Sequence, residues 1–185
     1  MDNELSLIRR AQEGDASAFE VLVEQHALYV YNLALRVVKN HEEAEDMAQE
    51  AFLNAWRGLA NFRADAKFST WLYRIVTNVC YNRVPKVKRD LATLPIDDLV
   101  QNLPSAQDSV DRAFLSAELG ATIHQAIADL PGSYSLLITL RHLQGMNYNE
   151  IAEVTDMPLG TVKTGIFRAR KLLRESLNAY EYAIT

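Results

Sequence analysis

Apolar residues recur every three or four positions through most of this 185-residue chain, and that spacing favours helices. Between residues 15 and 38, for example, Leu22, Val30, Leu33 and Val37 fall on one face of a helix. Seven glycines and five prolines are too few for a turn-rich all-β protein. We therefore predict an all-α fold.

The same periodicity and its interruptions predict where the helices begin and end. In the first half we expect helices over residues 15–38, 41–57 and 67–84, with Pro85 ending the third. In the second half we expect helices from about residue 110 to Pro131, then over 133–144, 148–154 and 159–177. Residues 85–109 contain three prolines and no sustained period, which predicts a linker with one helical turn near residues 97–100.

These segments predict two small helical domains joined by an acidic linker, with bounds at residues 1–88, 89–109 and 110–185. The net charge of −5 is unevenly spread. Residues 90–111 carry five acids and no base, whereas residues 83–89 carry four bases and residues 163–174 carry five, neither with an acid. Two basic clusters separated by an acidic segment favour a polyanionic partner.

Several classes of function lack the residues they need. Cys80 is the single cysteine, which excludes an intramolecular disulfide and a cysteine-based zinc cluster. The segment His41–Glu45 has Glu45 where a His-Glu-x-x-His motif needs its second histidine. Phosphate-binding glycine loops and nucleophile-elbow motifs do not occur in the sequence. We therefore predict no catalytic residue, no metal site and no cofactor.

The sequence also lacks targeting signals. Its first residues have neither the positive charge nor the apolar run of a secretory signal. No apolar stretch approaches the roughly 20 residues that span a bilayer. We expect a soluble cytoplasmic protein with no membrane segment of its own.

Residues 148–173 have the spacing of a helix-turn-helix, with a tight turn at residues 155–158. Four apolar residues of the second helix are expected to pack back on the first: Val162, Ile166, Ala169 and Leu173. The remaining polar and aromatic residues are then expected to point away: Thr161, Lys163, Thr164, Phe167, Arg168, Arg170 and Lys171. Cations for phosphates beside short or planar groups for base edges suit a helix that reads a DNA groove. An ordinary αα-hairpin with a basic face is the alternative.

Two sets of motifs resemble bacterial RNA polymerase sigma factors. In the second half, Glu150-Ile-Ala-Glu, Pro158-x-Gly-Thr-Val-Lys and Arg168-Ala-Arg170 resemble the module that reads the promoter −35 element. In the first half, Asp46-Met-Ala-Gln-Glu-Ala-Phe-Leu-Asn-Ala-Trp-Arg57 and Phe68-Ser-Thr-Trp-Leu-Tyr-Arg-Ile75 resemble the module that binds core polymerase and reads the −10 element. Two modules with no insertion between them mark the small extracytoplasmic-function (ECF) type of the sigma-70 family.

The resemblance implies roles for residues in the first domain. The β′ clamp of core polymerase is expected to dock on a stripe of the second helix: Asp46, Gln49, Glu50, Leu53 and Arg57. The third helix and the loop before it are expected to receive the −10 non-template strand: Arg63, Lys67, Phe68, Thr70, Trp71, Arg74, Asn78, Asn82 and Arg83. Asparagines there offer both donor and acceptor to an unstacked base. Trp71 has a second interpretation as a core tryptophan, because apolar residues flank it on the helix.

The resemblance further implies that the seven outward residues of the helix-turn-helix read −35 duplex DNA, and that the β flap is a second polymerase contact. Gly165 departs from the family, which commonly has arginine there, and glycine costs about 1 kcal/mol of helix propensity. By the same resemblance the acidic linker is expected to thread the cleft and RNA exit path of polymerase, and a disordered soluble tether is the alternative. Many family members are held inactive by an anti-sigma factor, so such a partner is a further expectation.

Two alternatives stay open. A helix-turn-helix repressor or activator would use the same C-terminal motif without polymerase, normally as a dimer on two half-sites. It would leave the motifs at residues 46–57 and 62–82 unexplained. A metal-dependent helical enzyme is the second alternative, and it would require bound metal.

Overall fold

The structure is a computed structural model, and it describes residues 4–94 and 117–184. All regular secondary structure within these two ranges is helical, in agreement with the predicted all-α fold. The chain divides into two compact units, the first ending at Arg83 and the second beginning at Val84. No helix in the described ranges is both long enough and apolar enough to cross a membrane.

The first unit is a bundle of four helices and one short turn: α1 (Glu4–Gln12), α2 (Ala16–Val38), α3 (His41–Gly58), a 3-10 turn (Leu59–Asn61) and α4 (Phe68–Arg83). The long helix α2 packs against α1, α3 and α4. Alanine side chains on the inner face of α3 let it approach its neighbours closely: Ala44, Ala48, Ala51 and Ala55, all buried.

The starts of α2 and α3 are fixed by side-chain caps. The Asp15 carboxylate accepts hydrogen bonds from the backbone amides of Ser17 and Ala18 at the start of α2. The Asn40 side chain accepts from the Glu43 amide, 3.0 Å away, at the start of α3. Such caps satisfy amides that have no partner within the helix, and they explain why these two helices begin where the sequence predicts.

In the described part of the second unit there are five helices and a π-helical turn: α5 (Pro85–Ala92), α6 (Ala117–Asp129), α7 (Gly132–Ile138), the π turn (Thr139–Leu143), α8 (Tyr148–Thr155) and α9 (Leu159–Ile184). Its core joins α6, α7 and α9 through Ile127, Ile138 and Ala169, which are buried. The predicted inward stripe of α9 is confirmed, because all four of its apolar residues are buried: Val162, Ile166, Ala169 and Leu173.

The structure differs from the predicted elements at two helices. The prediction missed α1, whose short apolar set Leu7, Ile8 and Ala11 is buried. Residues 85–92 were predicted to be linker, and that prediction is wrong because they form α5. Pro85 forces Val84 out of helical geometry, yet its own fixed φ suits the first position of a new helix.

Two further predictions concern residues outside the described ranges. The predicted turn near residues 97–100 and the start of the helix expected at residue 110 lie outside the described residues. The domain bounds at residues 88 and 110 therefore stay predictions.

Candidate polymerase-docking and DNA-binding surfaces

The stripe predicted to dock polymerase lies on the outer face of α3. Asp46, Gln49 and Arg57 are exposed, and Glu50 is half-buried. Leu53 stands among them with 56% of its surface exposed. A large aliphatic side chain within a polar rim is the composition of a reversible protein interface. Helical periodicity places Trp56 on the packing side of α3 together with the alanines. The residue is instead 37% exposed, and its ring centroid lies 4.9 Å from that of Phe19.

An ion pair connects this stripe to the end of α4. The Arg83 guanidinium donates from Nη2 to Glu50 Oε2 at 2.8 Å and from Nε to the same oxygen at 3.2 Å. Hydrogen bonding to Glu50 raises the pKa of Arg83, with the charges of Glu50, Asp46 and Glu43 acting in the same direction. Glu50 is predicted to contact polymerase and Arg83 is predicted to contact DNA. In this structure the two side chains neutralise each other's charge.

Helix α4 presents a polar row to solvent. Arg74, Asn78 and Asn82 are exposed and lie four residues apart, as the sequence predicts. Thr70, the predicted first member of the row, is buried, so its expected outward orientation is wrong. Three asparagine and arginine side chains on successive turns can hydrogen-bond to an unstacked base and an adjacent phosphate.

An aromatic cluster lies at the start of α4. The Trp71 ring centroid is 5.1 Å from that of Phe62 and 5.5 Å from that of Phe68. Phe68 is buried, so this predicted DNA contact is a core residue in the structure. Trp71 is half-buried, which fits its interpretation as a packing residue.

The loop between the 3-10 turn and α4 is hydrogen-bonded to α1 at one end and exposed to solvent at the other. The Gln12 side-chain amide donates to the backbone carbonyls of Leu59 at 3.0 Å and Phe62 at 2.8 Å. Beyond Phe62, Arg63 and Lys67 are exposed. Gln12 is a positioning residue that sequence analysis missed, and the available signal was the short apolar pattern of α1.

The helix-turn-helix is formed by α8 and α9. Asn147 begins α8 with a capping box, in which its side chain accepts from the Glu150 amide and the Glu150 carboxylate accepts from the Asn147 amide at 2.7 Å. Asp156 ends α8 in the left-handed region, with φ 54°. This turn sets the direction in which α9 begins.

Only part of the predicted reading face of α9 is accessible. Phe167 is 45% exposed, Lys171 is exposed, and Lys163, Arg168 and Arg170 are half-buried. Arg170 also donates to His142 Nε2 at 3.2 Å. Thr161 and Thr164 were expected to point outward, and that expectation is wrong because they are 5% and 0% exposed. They lie on the side of α9 that neighbouring elements cover.

Residues 4–94 and 117–184 contain no cluster of three or more histidine, cysteine, aspartate or glutamate side chains that could hold a metal ion. Burial raises the pKa of the Cys80 thiol to about 12, so this thiol stays protonated at neutral pH.

Comparisons with known proteins agree with the motifs in both units. The family described as "Sigma-70 region 2" matches residues 22–90, and "Sigma-70, region 4" matches residues 121–173. The RNA polymerase sigma-H factor of Pseudomonas aeruginosa is 38% identical, over 95% of this chain and 94% of its own. The ECF RNA polymerase sigma factor SigW of Bacillus subtilis is also 38% identical, over 92% of this chain and 94% of its own.

A solved structure supports the same assignment. CnrH, in complex with the cytosolic domain of CnrY, superposes with a TM-score of 0.63 at 25% identity, covering 94% of this chain and 96% of that one. The polar face of α3 and the helix-turn-helix of α8 and α9 thus belong to the two matched regions. The chain is a member of the sigma-70 family of RNA polymerase sigma factors, of the ECF type.

Proposed function

We propose that the work of this sigma factor is divided among three surfaces: the α3 stripe, the α4 row and the exposed face of α9. As a sigma factor, the protein binds core RNA polymerase and directs it to promoters for transcription initiation. The observation that carries the division is that each helix presents a different chemistry. The α3 stripe is acidic around one leucine, the α4 row is amide-rich, and the α9 face is basic.

The α3 stripe is proposed to dock the β′ clamp of core polymerase. Leu53 supplies the apolar centre, and Asp46, Gln49 and Glu50 supply a polar rim. Interfaces of this composition form reversibly, which suits a subunit that binds polymerase for initiation. The β flap is proposed as a second polymerase contact.

The α4 row is proposed to trap bases of the −10 non-template strand. Unstacking a base costs a few kcal/mol, and hydrogen bonds to the exposed base edge offset that cost. Asn78 and Asn82 can make these bonds, while Arg74 and Lys67 are placed for phosphates. Arg83 is proposed to join them when polymerase occupies Glu50, because the two residues are otherwise paired.

The exposed face of α9 is proposed to read −35 duplex DNA in the major groove. Phe167 and Lys171 lie on this face, with the half-buried Lys163, Arg168 and Arg170 beside them. Arginine and lysine position a helix on phosphates, and side chains at its start reach base edges.

The remaining predictions belong to the same proposal. Relatives of this chain are sigma factors, a non-catalytic family, and we propose that it has no catalytic activity of its own. We place its action in the cytoplasm, where bacterial RNA polymerase works. An anti-sigma factor is a proposed partner, and CnrH, the similar solved protein, was determined with a partner domain bound. The bounds 1–88, 89–109 and 110–185 remain the proposed domains.

The test uses the full chain with purified core polymerase on a library of promoter fragments, with transcript starts mapped by sequencing. We expect a set of starts that core polymerase alone does not give, sharing two sequence elements upstream. The Leu53→Asp chain, which should not dock, is the control and should return the pattern of core polymerase alone.

Two outcomes would contradict the proposal. If the starts match those of core polymerase alone, the chain does not direct initiation. If the free chain instead elutes from gel filtration as a dimer bound to duplex sites, the repressor or activator alternative is correct.

A further inference from the structure

The loop that joins the 3-10 turn to α4 is exposed along its length but fixed at both ends. Its residues 63–67 are all exposed. The residues on either side of it, Phe62 and Phe68, are buried, and their rings meet edge to face with centroids 5.8 Å apart. The two ends of the loop are therefore held together by a packed aromatic pair, while its middle is open to solvent.

The backbone inside the loop has an unfavourable conformation. Ala64 lies in the left-handed region with φ 57°, where a residue with a Cβ atom is disfavoured. Such a conformation persists only where the surrounding contacts enforce it. Arg63 Nε and Asp65 Oδ2 form an ion pair of 3.2 Å across it, but their side chains are 84% and 74% exposed, and such exposed pairs stabilise little. The restraint on Ala64 therefore comes mainly from the ends of the loop.

Gln12 fixes the end of the loop at Phe62. A primary amide carries two N–H donors, and Nε2 of Gln12 donates to the carbonyls of Leu59 at 3.0 Å and Phe62 at 2.8 Å. The Phe62 amide also donates to the Leu59 carbonyl at 3.0 Å, which closes the 3-10 turn. The carbonyl of Phe62 belongs to the planar peptide unit that leads into Arg63, so its orientation sets the direction in which the loop begins.

Helix α1 is a firm support for Gln12. Three apolar residues of α1 are buried: Leu7, Ile8 and Ala11. At the start of α1, Glu4 Oε1 lies 3.2 Å from Nε2 of His26 on α2. The His26 ring in turn packs on the Phe68 ring, with 5.3 Å between centroids. Helix α1 is thus connected to both ends of the loop, through Gln12 to Phe62 and through His26 to Phe68.

We propose that Gln12 is a positioning residue for promoter opening, because it holds the loop of residues 63–67 in the conformation that receives the −10 non-template strand. The proposal rests on the proposed function of this loop and the α4 row. A loop that is already ordered loses less conformational entropy when a base enters it, so more of the contact energy offsets the cost of unstacking. Gln12 acts through the carbonyl of Phe62 and not by touching the strand itself.

Amide exchange tests this anchor without DNA. Gln12→Met keeps the length of the side chain and removes both donors. The Phe62 amide, which is hydrogen-bonded in the parent chain, should then exchange about fivefold faster, because its turn loses the bonds to Gln12. Gln25→Met is the matched control, since Gln25 is an exposed glutamine on α2, and it should leave the rate unchanged.

Promoter opening tests what the anchor does. Permanganate reactivity of the −10 thymines is measured with purified core polymerase and saturating sigma chain, on a promoter fragment taken from the mapped starts. We expect Gln12→Met to lower opening about fivefold and to leave the affinity for core polymerase unchanged. Gln25→Met should change neither quantity.

A template with a mismatched −10 element separates positioning from general damage. Its bases are already unpaired, so the cost of unstacking falls and the order of the loop matters less. We expect the deficit of Gln12→Met to shrink to about twofold or less on this template, measured as the rate of transcript formation. A subunit that is merely unstable would be equally defective on both templates.

Folding of each variant is checked by circular dichroism. If Gln12→Met does not fold, Gln12→Glu replaces it, because an ionised carboxylate also has no donor for the two carbonyls. The proposal is overturned if exchange of the Phe62 amide is unchanged or if opening is unchanged. It is also overturned if the deficit is the same on the mismatched template.

Asn78→Ala, measured in the same assay, separates the role of Gln12 from the proposed function of the α4 row. If Gln12→Met opens the promoter normally while Asn78→Ala does not, the α4 row stands and the role of Gln12 fails. If only Gln12→Met lowers opening, the loop rather than the α4 row holds the strand, and the role of Gln12 stands. If the chain directs no starts, or if neither variant affects opening, the proposed function fails and the role of Gln12 fails with it.

Discussion

The α3 stripe and the α9 reading face were predicted by the same reasoning from helical periodicity, yet they differ in how the structure presents them. On α3 the predicted residues lie at the surface, with Leu53 the most prominent apolar group. On α9 Thr161 and Thr164 are buried, and Arg170 is bonded to His142. The inner face of α3 is defined by its own alanines, whereas one side of α9 is covered by residues distant in sequence. A surface is therefore predictable from its helix only where no distant segment packs on it.

The largest effect on binding is expected from a substitution in the α3 stripe, whose residues lie at the surface. Leu53→Asp should weaken binding to core polymerase about thirtyfold or more, because it places a charge at the apolar centre of the proposed interface. Affinity is measured with labelled sigma chain and purified core. Leu28→Asp is the matched control, since Leu28 is an exposed leucine on α2, with 66% of its surface accessible against 56% for Leu53. Equal losses in the two variants would show that exposed leucines in general, rather than the α3 stripe, hold the polymerase.

The α4 row should give the next effect. Asn78→Ala and Asn82→Ala should each lower promoter opening about tenfold, since each removes hydrogen bonds to an unstacked base. Permanganate reactivity of unpaired thymines in the −10 element measures the opening, at a sigma concentration that saturates the core. Asn149→Ala, an exposed asparagine in the second unit, should leave it unchanged. A loss of core binding in the α4 variants, without a loss of opening, would contradict the assignment.

Substitutions at the helix caps test whether the two units differ in stability. Asn40→Ala and Asn147→Ala should each cost about 1 kcal/mol, because each leaves amides at a helix start without a partner. Amide hydrogen exchange should show the loss in the first unit for Asn40→Ala and in the second for Asn147→Ala. If both variants lose protection throughout the chain, the two units unfold together.

The smallest effect on DNA binding is expected from substituting an accessible cation of α9. Lys171→Gln should weaken duplex binding by the holoenzyme about threefold and lower the salt slope by about one, as loss of a phosphate contact requires. Arg9→Gln removes an exposed charge from α1 and should change neither quantity. A change in sequence preference without a change in salt slope would mean that Lys171 reads bases instead.

Several features of the site could be predicted from neighbouring residues in the sequence. The inner stripe of α9, the packing face of α3 and the exposed Arg74, Asn78 and Asn82 follow from a period of 3.6 residues. A cap at the start of α2 follows in the same way, because the Asp15 side chain bonds to amides two and three residues away.

Other features required knowledge of distant contacts. Gln12 holds the loop carbonyls of Leu59 and Phe62, which lie 47 and 50 residues away. Pro85 predicts the end of a helix, but the burial of Val87 and Leu91 stabilises a short helix that begins there. Isolated helices of this length are marginal, so packing rather than propensity decides whether α5 forms.

The all-α class, the family and the inner faces of the long helices can be predicted from the residues alone, because they depend on spacing within one helix and on motifs read in order. Which outward faces stay accessible depends on packing between elements. Leu94 lies 71 residues before Gly165, and their meeting depends on how α5 packs within the second unit. A side chain that points away from the packed face of its helix is exposed only if no other segment lies against it. The periodicity of one helix does not indicate which other segments pack against that helix.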